Sequence, residues 1–85
     1  IHARRGVVLA CGGFPHDRKR IAQLMTHAPD GTRHYSAAPK ENSGDGLRLG
    51  EQAGGLVSTK LAQSGAWAPV SRVPRKDGTF GHFPH

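Results

Sequence analysis

A single cysteine, Cys11, leaves this sequence without an internal disulfide, so nothing in it calls for an oxidising compartment. No apolar run approaches the ~18–20 residues of a membrane span. No charged stretch followed by an apolar one opens the chain as a signal peptide would. A cytoplasmic location is therefore expected. Acidic residues are also scarce, with 6 Asp and Glu against 12 Lys and Arg and a formal charge of +6. That balance raises the question of a nucleic-acid partner. The basic residues, however, fall in short groups (Arg4-Arg5, Arg18-Lys19-Arg20, Arg72, Arg75-Lys76) with no aromatics interleaved. This is the pattern of a solvated face, and no nucleic-acid partner is expected.

Apolar side chains are thin as well. They make up 35% of the 85 residues, while 12 Gly and 6 Pro together account for about a fifth. A chain of this length buries only about 60–65% of its unfolded surface, so an independent, well-packed core is not expected. The first residue is Ile1 where a methionine would be usual, and the last residues are Phe83-Pro84-His85. The expectation is a piece of a longer chain.

What is present is a legible order of elements. Gly6-Val7-Val8-Leu9-Ala10-Cys11 is continuously apolar, with two β-branched residues, and ends at Gly12-Gly13. A short run without alternation predicts a strand buried on both faces, as in a parallel sheet. Pro15 then stands at an expected first helical position, Asp17 in the first turn, and Ile21, Leu24 and Met25 form one stripe. The pattern predicts an amphipathic helix over 15–27, closed by the turn Pro29-Asp30-Gly31. Residues 32–44 read as irregular. A second helix is predicted over about 45–53, capped by Asn42 or Ser43, with Asp45 near its first turn and Gly54-Gly55 stopping it. Residues 66–70 suit an extended segment, and Arg75-Lys76-Asp77-Gly78-Thr79 a hairpin turn.

Two glycine-rich spots are candidates for chemistry. The first, Ala10-Cys11-Gly12-Gly13, lies at the carboxyl end of the predicted strand, where missing Cβ atoms admit a ligand or another backbone. A tight strand-to-helix turn with no ligand explains the same residues. The second, Asn42-Ser43-Gly44-Asp45-Gly46, surrounds one carboxylate at a helix start, where free amides suit anionic or hydroxyl-bearing groups. A capped helix with a flexible entry loop is the plainer alternative.

Three other patterns fail. Gly44, Gly46 and Gly50 are one residue too widely spaced for a dinucleotide fingerprint, and a polar segment with Pro39 precedes them in place of a strand. A calcium loop starting at Glu41 would need a glutamate where Gln52 stands. The six histidines show no metal-ligand spacing, so no metal is expected. Cys11, in a predicted buried strand, reads as a small packed thiol and not as a nucleophile.

Taken together, Val8 to Phe14, the loop Asn42 to Gly46 and the helix sequence Leu47 to Gly55 resemble one known family. It is the FAD-dependent oxidoreductase 2 group of fumarate reductase, the succinate dehydrogenase flavoprotein subunit and 3-ketosteroid Δ1-dehydrogenase. Their strand reads roughly Val-Leu-Ala-Thr-Gly-Gly-Phe, with an Asn-Thr-Gly-Asp-Gly loop about thirty residues on. Cys11 and Ser43 stand here where that family has threonine.

The resemblance implies an α/β fold, a fragment of a Rossmann-like FAD-binding domain (1–57) running into the start of a capping domain (58–85). It implies FAD as cofactor, with Ala10, Cys11, Gly12, Gly13, Ser43, Gly44 and Asp45 lining the cleft. It also implies hydride exchange with a carbon–carbon bond beside a carbonyl or carboxylate of a small-molecule substrate. The family's diphosphate-binding glycine fingerprint and its substrate-handling Arg and His groups have no counterpart in this chain, so no catalytic residue is assigned. A small basic module binding an anionic partner is the competing reading.

Overall fold

The computed structural model describes residues 2–85. It contains, in chain order, helix α1 (Arg18–Leu24), helix α2 (Asp45–Gln52) and strands β1 (Val70–Pro74) and β2 (Phe80–Pro84).

Helix α1 is shorter than the sequence pattern suggests, and its cap explains why. Pro15 lies in a turn in which the Asp17 N–H donates to the Phe14 carbonyl (3.0 Å). Asp17 is the N-cap, its carboxylate accepting from the Arg20 N–H at 3.1 Å. That bond satisfies one of the amides a helix start leaves free. The helix ends before Met25, and His27 falls in the turn beyond it. Ile21, Met25 and Ala28 are buried and form the core, with Phe14 packed against them.

Helix α2 lies where the pattern places it, but neither Asn42 nor Ser43 caps it. Gly44 is the N-cap and makes no side-chain bond. At the other end, the Gly54 N–H donates to the Glu51 carbonyl (3.0 Å) and the Gly55 N–H to the Gly50 carbonyl (2.9 Å). These paired bonds satisfy carbonyls the helix would leave open and stop it at the predicted glycines.

An ion pair joins the two helices. Arg20 grips Glu51 with two bonds, Nη1 to Oε1 (3.2 Å) and Nη2 to Oε2 (2.7 Å), and its Nε lies 3.6 Å from Asp17. The hydrogen bond from Arg20 holds the Glu51 carboxyl below its usual 4.5, and Glu51 in turn raises Arg20. A depressed carboxyl pKa contributes stability above the unfolded value and loses it as pH falls through the folded one. Arg20→Met is therefore expected to lower the thermal midpoint slightly at neutral pH, since solvent screens the exposed Glu51 carboxylate. The difference from wild type should shrink as pH drops below 4.5, readable by circular dichroism melts across that range.

Strands β1 and β2 pair antiparallel, from Val70↔Pro84 to Pro74↔Phe80. Their turn uses the predicted Asp77-Gly78: the Arg75 N–H donates to the Thr79 carbonyl (2.8 Å) and the Gly78 N–H to the Arg75 carbonyl (3.1 Å). The Asp77 carboxylate accepts from the Thr79 N–H (3.0 Å) and hydroxyl (2.7 Å), as an Asp in a tight turn does. The hairpin meets residues 32–44 through Arg72. Its guanidinium lies 4.6 Å from the Tyr35 ring centroid and 4.1 Å from that of Phe80, a cation–π arrangement.

The buried strand expected over Gly6 to Cys11 is not observed as such. The segment has no strand partner among the described residues, and Val7 and Val8 are 73% and 90% exposed. A strand exists only through its neighbours' hydrogen bonds, and none lies beside this one. Cys11 is accordingly exposed, not packed inside a sheet.

The bulk dimensions carry the same mark. The accessible surface is 7157 Å², against about 4,900 Å² for a compact monomer of this mass. The radius of gyration is 15.3 Å, where about 12 Å is usual for this length. Much of the apolar surface, including Leu49, Leu56 and Leu61, remains in water. Among the described residues, no helix is long and apolar enough to cross a membrane.

Candidate functional site

The two glycine spots, 31 residues apart at Gly13 and Gly44, meet in space. The Gly44 N–H donates to the Gly13 carbonyl at 3.1 Å, and the His16 N–H to the Asn42 carbonyl at 3.2 Å. Side chains fill the bare positions from the opposite loop. A Cβ on Gly12 would stand 2.7 Å from Asn42 Oδ1, and one on Gly46 would stand 2.9 Å from Cys11 Sγ. Glycine at 12 and 46 is thus accounted for by one loop closing on the other. What a ligand would meet is the outer rim of this joint.

On that rim, residues 10–13 are exposed, Ser43 is half-buried, Gly44 is buried and Asp45 is exposed. All seven residues predicted from the sequence therefore lie along one seam, Ala10 to Gly13 on one side and Ser43 to Asp45 on the other. Asp45, Gly46 and Leu47 open α2, where the first intrahelical bond is made by the Arg48 N–H (3.1 Å to Gly44). Their own amides have no partner among the described residues, which leaves a helix start open to an acceptor.

Arg48 is the residue that the sequence analysis passed over. It pairs with the Asp45 carboxylate, donates to the Ser43 carbonyl (2.7 Å) and lies 3.4 Å from the Asp17 carboxylate. Its guanidinium thus joins the loop, α2 and the cap of α1. The (i, i+3) spacing of Asp45 and Arg48 signals this pair in the sequence; the reach to Asp17 has no local signal.

A second feature lies beside the seam. A cleft of ≈ 400 Å³ is lined by residues 13–15, 34–38 and 64–68, together with Met25, Val70 and Pro84. Residues on both sides of the expected boundary at 57/58 contribute to it. Near it, His34 Nδ1 and His27 Nε2 are 3.3 Å apart, and Trp67 packs edge-on against His27 with centroids 4.5 Å apart. Burial, then the His27 and His16 charges, lower the His34 pKa from its usual 6.5. Among the described residues, no group of three or more His, Cys, Asp or Glu could hold a metal ion.

Comparison with known proteins agrees on one family. A family model described as an FAD binding domain matches residues 1–84. A 4-oxocyclohex-2-ene-1-carboxylate 5-dehydrogenase of Sinomonas cyclohexanicum is 31% identical over the whole of this chain and 14% of its own length. A 3-oxosteroid 1-dehydrogenase of Mycobacterium tuberculosis is 36% identical over 82% of this chain and 12% of its own. A 4-oxocyclohexanecarboxylate 2-dehydrogenase of Sinomonas cyclohexanicum is 33% identical over 98% of this chain and 14% of its own length. The chain thus spans about one seventh of these relatives. No solved structure matches.

Proposed function

Because the chain belongs to the FAD binding domain family, whose cofactor is FAD, we propose that it forms one wall of the FAD cleft in a larger dehydrogenase. The observation that carries this reading is the joint between the two glycine loops, which sets the exposed edge 10–13 beside the open amides of α2. The residues fit the cofactor. Gly46 adds no side chain of its own at the start of α2, where the Cys11 thiol approaches it, and the α2 amides suit a phosphate or ribityl oxygen. Ser43, Gly44 and Asp45 hold the second side of the seam, with Asp45 kept in place by Arg48. Ala10, Cys11, Gly12 and Gly13 supply the first, as a surface of backbone and small side chains that a flat ring system can approach.

When bound, FAD supplies hydride exchange. This chain contributes binding and orientation, and we assign it no acid, base or nucleophile. In this reading residues 58–85 begin the part that closes over substrate, since residues 64–68 face Phe14 and Pro15 across the apolar cleft. The relatives' names share dehydrogenation of an oxo-bearing ring. A carbon–carbon bond beside a carbonyl is therefore the proposed target. For the competing basic module, three of the 12 Lys and Arg are already occupied, Arg20 and Arg48 by carboxylates and Arg72 by two aromatic rings.

Flavin fluorescence titration tests this reading. A longer form of the protein should bind FAD stoichiometrically, and residues 1–85 alone only weakly, because one wall of the cleft is present. Tight stoichiometric binding by the 85 residues would contradict the one-wall reading. A longer form without FAD would contradict the function.

A further inference from the structure

A second cleft, of ≈ 370 Å³, opens between residues 34–40 and the hairpin, and basic side chains complete the part of its lining that the apolar cleft does not share. His16, His34, Lys40, Arg75 and His82 line it together with Tyr35, and no Asp or Glu does. Arg20 and Arg48 find carboxylates, whereas Lys40 and Arg75 make no salt bridge among the described residues. The nearest acid in sequence to Arg75, Asp77, is spent on Thr79.

We infer that this cleft is a binding site for the oxyanion of a small molecule, a carboxylate or a phosphate ester. Two exposed positive side chains and three imidazoles border one concavity with no carboxylate among its lining residues, although His16 Nε2 donates to the Ala38 carbonyl (3.0 Å) and His34 Nδ1 lies 3.3 Å from His27 Nε2. Like charges held together repel, and an oxyanion relieves the repulsion while accepting charge-assisted hydrogen bonds. One further observation points the same way. His82 Nε2 is buried with no hydrogen-bond partner among the described residues, and the His82 ring lies against the Tyr35 ring, tilted by 31° with centroids 5.5 Å apart. A buried nitrogen left unpaired marks a place where a partner is wanted. A solvated basic face holds no such buried, unpaired nitrogen.

The site is distinct from the glycine seam but adjoins it, since the His16 backbone is bonded to Asn42. It also shares residues 34–38 as a wall with the apolar cleft. The inference thus goes beyond the FAD reading and does not need it.

The test is calorimetric titration of the longer, FAD-loaded protein with cyclohexanecarboxylate, with uncharged cyclohexanecarboxamide and with inorganic phosphate. Wild type is compared with Lys40→Met, Arg75→Met and the double variant. We expect saturable binding of an oxyanion, weakened about tenfold in the double variant, with no binding of the amide. Preference for carboxylate or for phosphate assigns the ligand class. Unchanged anion affinity in the double variant, or an amide that binds as well as the acid, overturns the inference. FAD content, read from the flavin absorbance of the same samples, should be equal in all four proteins. Its absence throughout would count against the FAD reading alone.

Discussion

Replacing Gly44 with valine should strip a longer, FAD-loaded form of the protein of most of its cofactor. Gly44 sits at φ 84°, ψ 23°, the left-handed region, and caps α2. That backbone costs a side-chain-bearing residue roughly 1–2 kcal/mol, and a β-branched one more. A new Cβ would stand 3.2 Å from Asp17 Oδ2 and 3.3 Å from the Phe14 Cβ, tight on two sides. The same residue donates the 3.1 Å bond to Gly13 that closes the seam. Strain at this point is relieved by letting the loops part, which moves the open amides of α2 away from the edge 10–13. With each 1.4 kcal/mol worth tenfold, a fall in FAD affinity of about tenfold or more is expected. Gly54→Ala is the control: Gly54 also has a positive φ, yet a Cβ there meets nothing within 4 Å. It should lower stability slightly and leave FAD affinity alone. Equal flavin content in wild type and Gly44→Val, measured after dialysis, would remove the seam from the cofactor surface.

Gly31→Ala should have the largest effect on folding. Gly31 is buried at φ 72°, and its N–H donates to the Ala28 carbonyl at 2.9 Å. A Cβ there would collide with the Arg18 carbonyl oxygen at the start of α1. Neither atom belongs to a flexible side chain, so the turn or the helix must shift. Left-handed strain of about 1–2 kcal/mol and overpacking of about 1–3 kcal/mol combine at one place. A folded unit of this size has roughly 4–13 kcal/mol in total, and among the described residues the buried core beneath is Ile21, Met25 and Ala28. Urea unfolding should show a large fall in midpoint or no folded baseline. A midpoint equal to wild type would mean that the turn over 29–31 relaxes without disturbing α1.

Several features were legible in the sequence because their causes are local. Gly54-Gly55 ends α2, Asp77-Gly78 turns the hairpin, and the stripe through Ile21 and Met25 forms the core. Each depends on bonds or contacts within a few residues. The bounds of α1 were misread for an equally local reason. Pro15 and Asp17 are both credible helix openers, and the carboxylate of Asp17, able to bond the Arg20 amide, took the N-cap. The α2 cap went to Gly44 because only a residue at ease with positive φ can carry the chain from the Gly13 contact into the helix.

The amino-acid order by itself determined the family, the two bare loops and the turn chemistry, since these are written in short strings of residues. Only the tertiary structure decided which side chains meet across the seam: Asn42 on Gly12, Cys11 on Gly46, Arg20 on Glu51, Arg48 on Asp17. It also decided that the apolar run after Gly6 lies bare. Pairings over thirty residues leave no periodic trace in a sequence. A strand is stable only beside another, and composition cannot say whether that neighbour is in the same 85 residues.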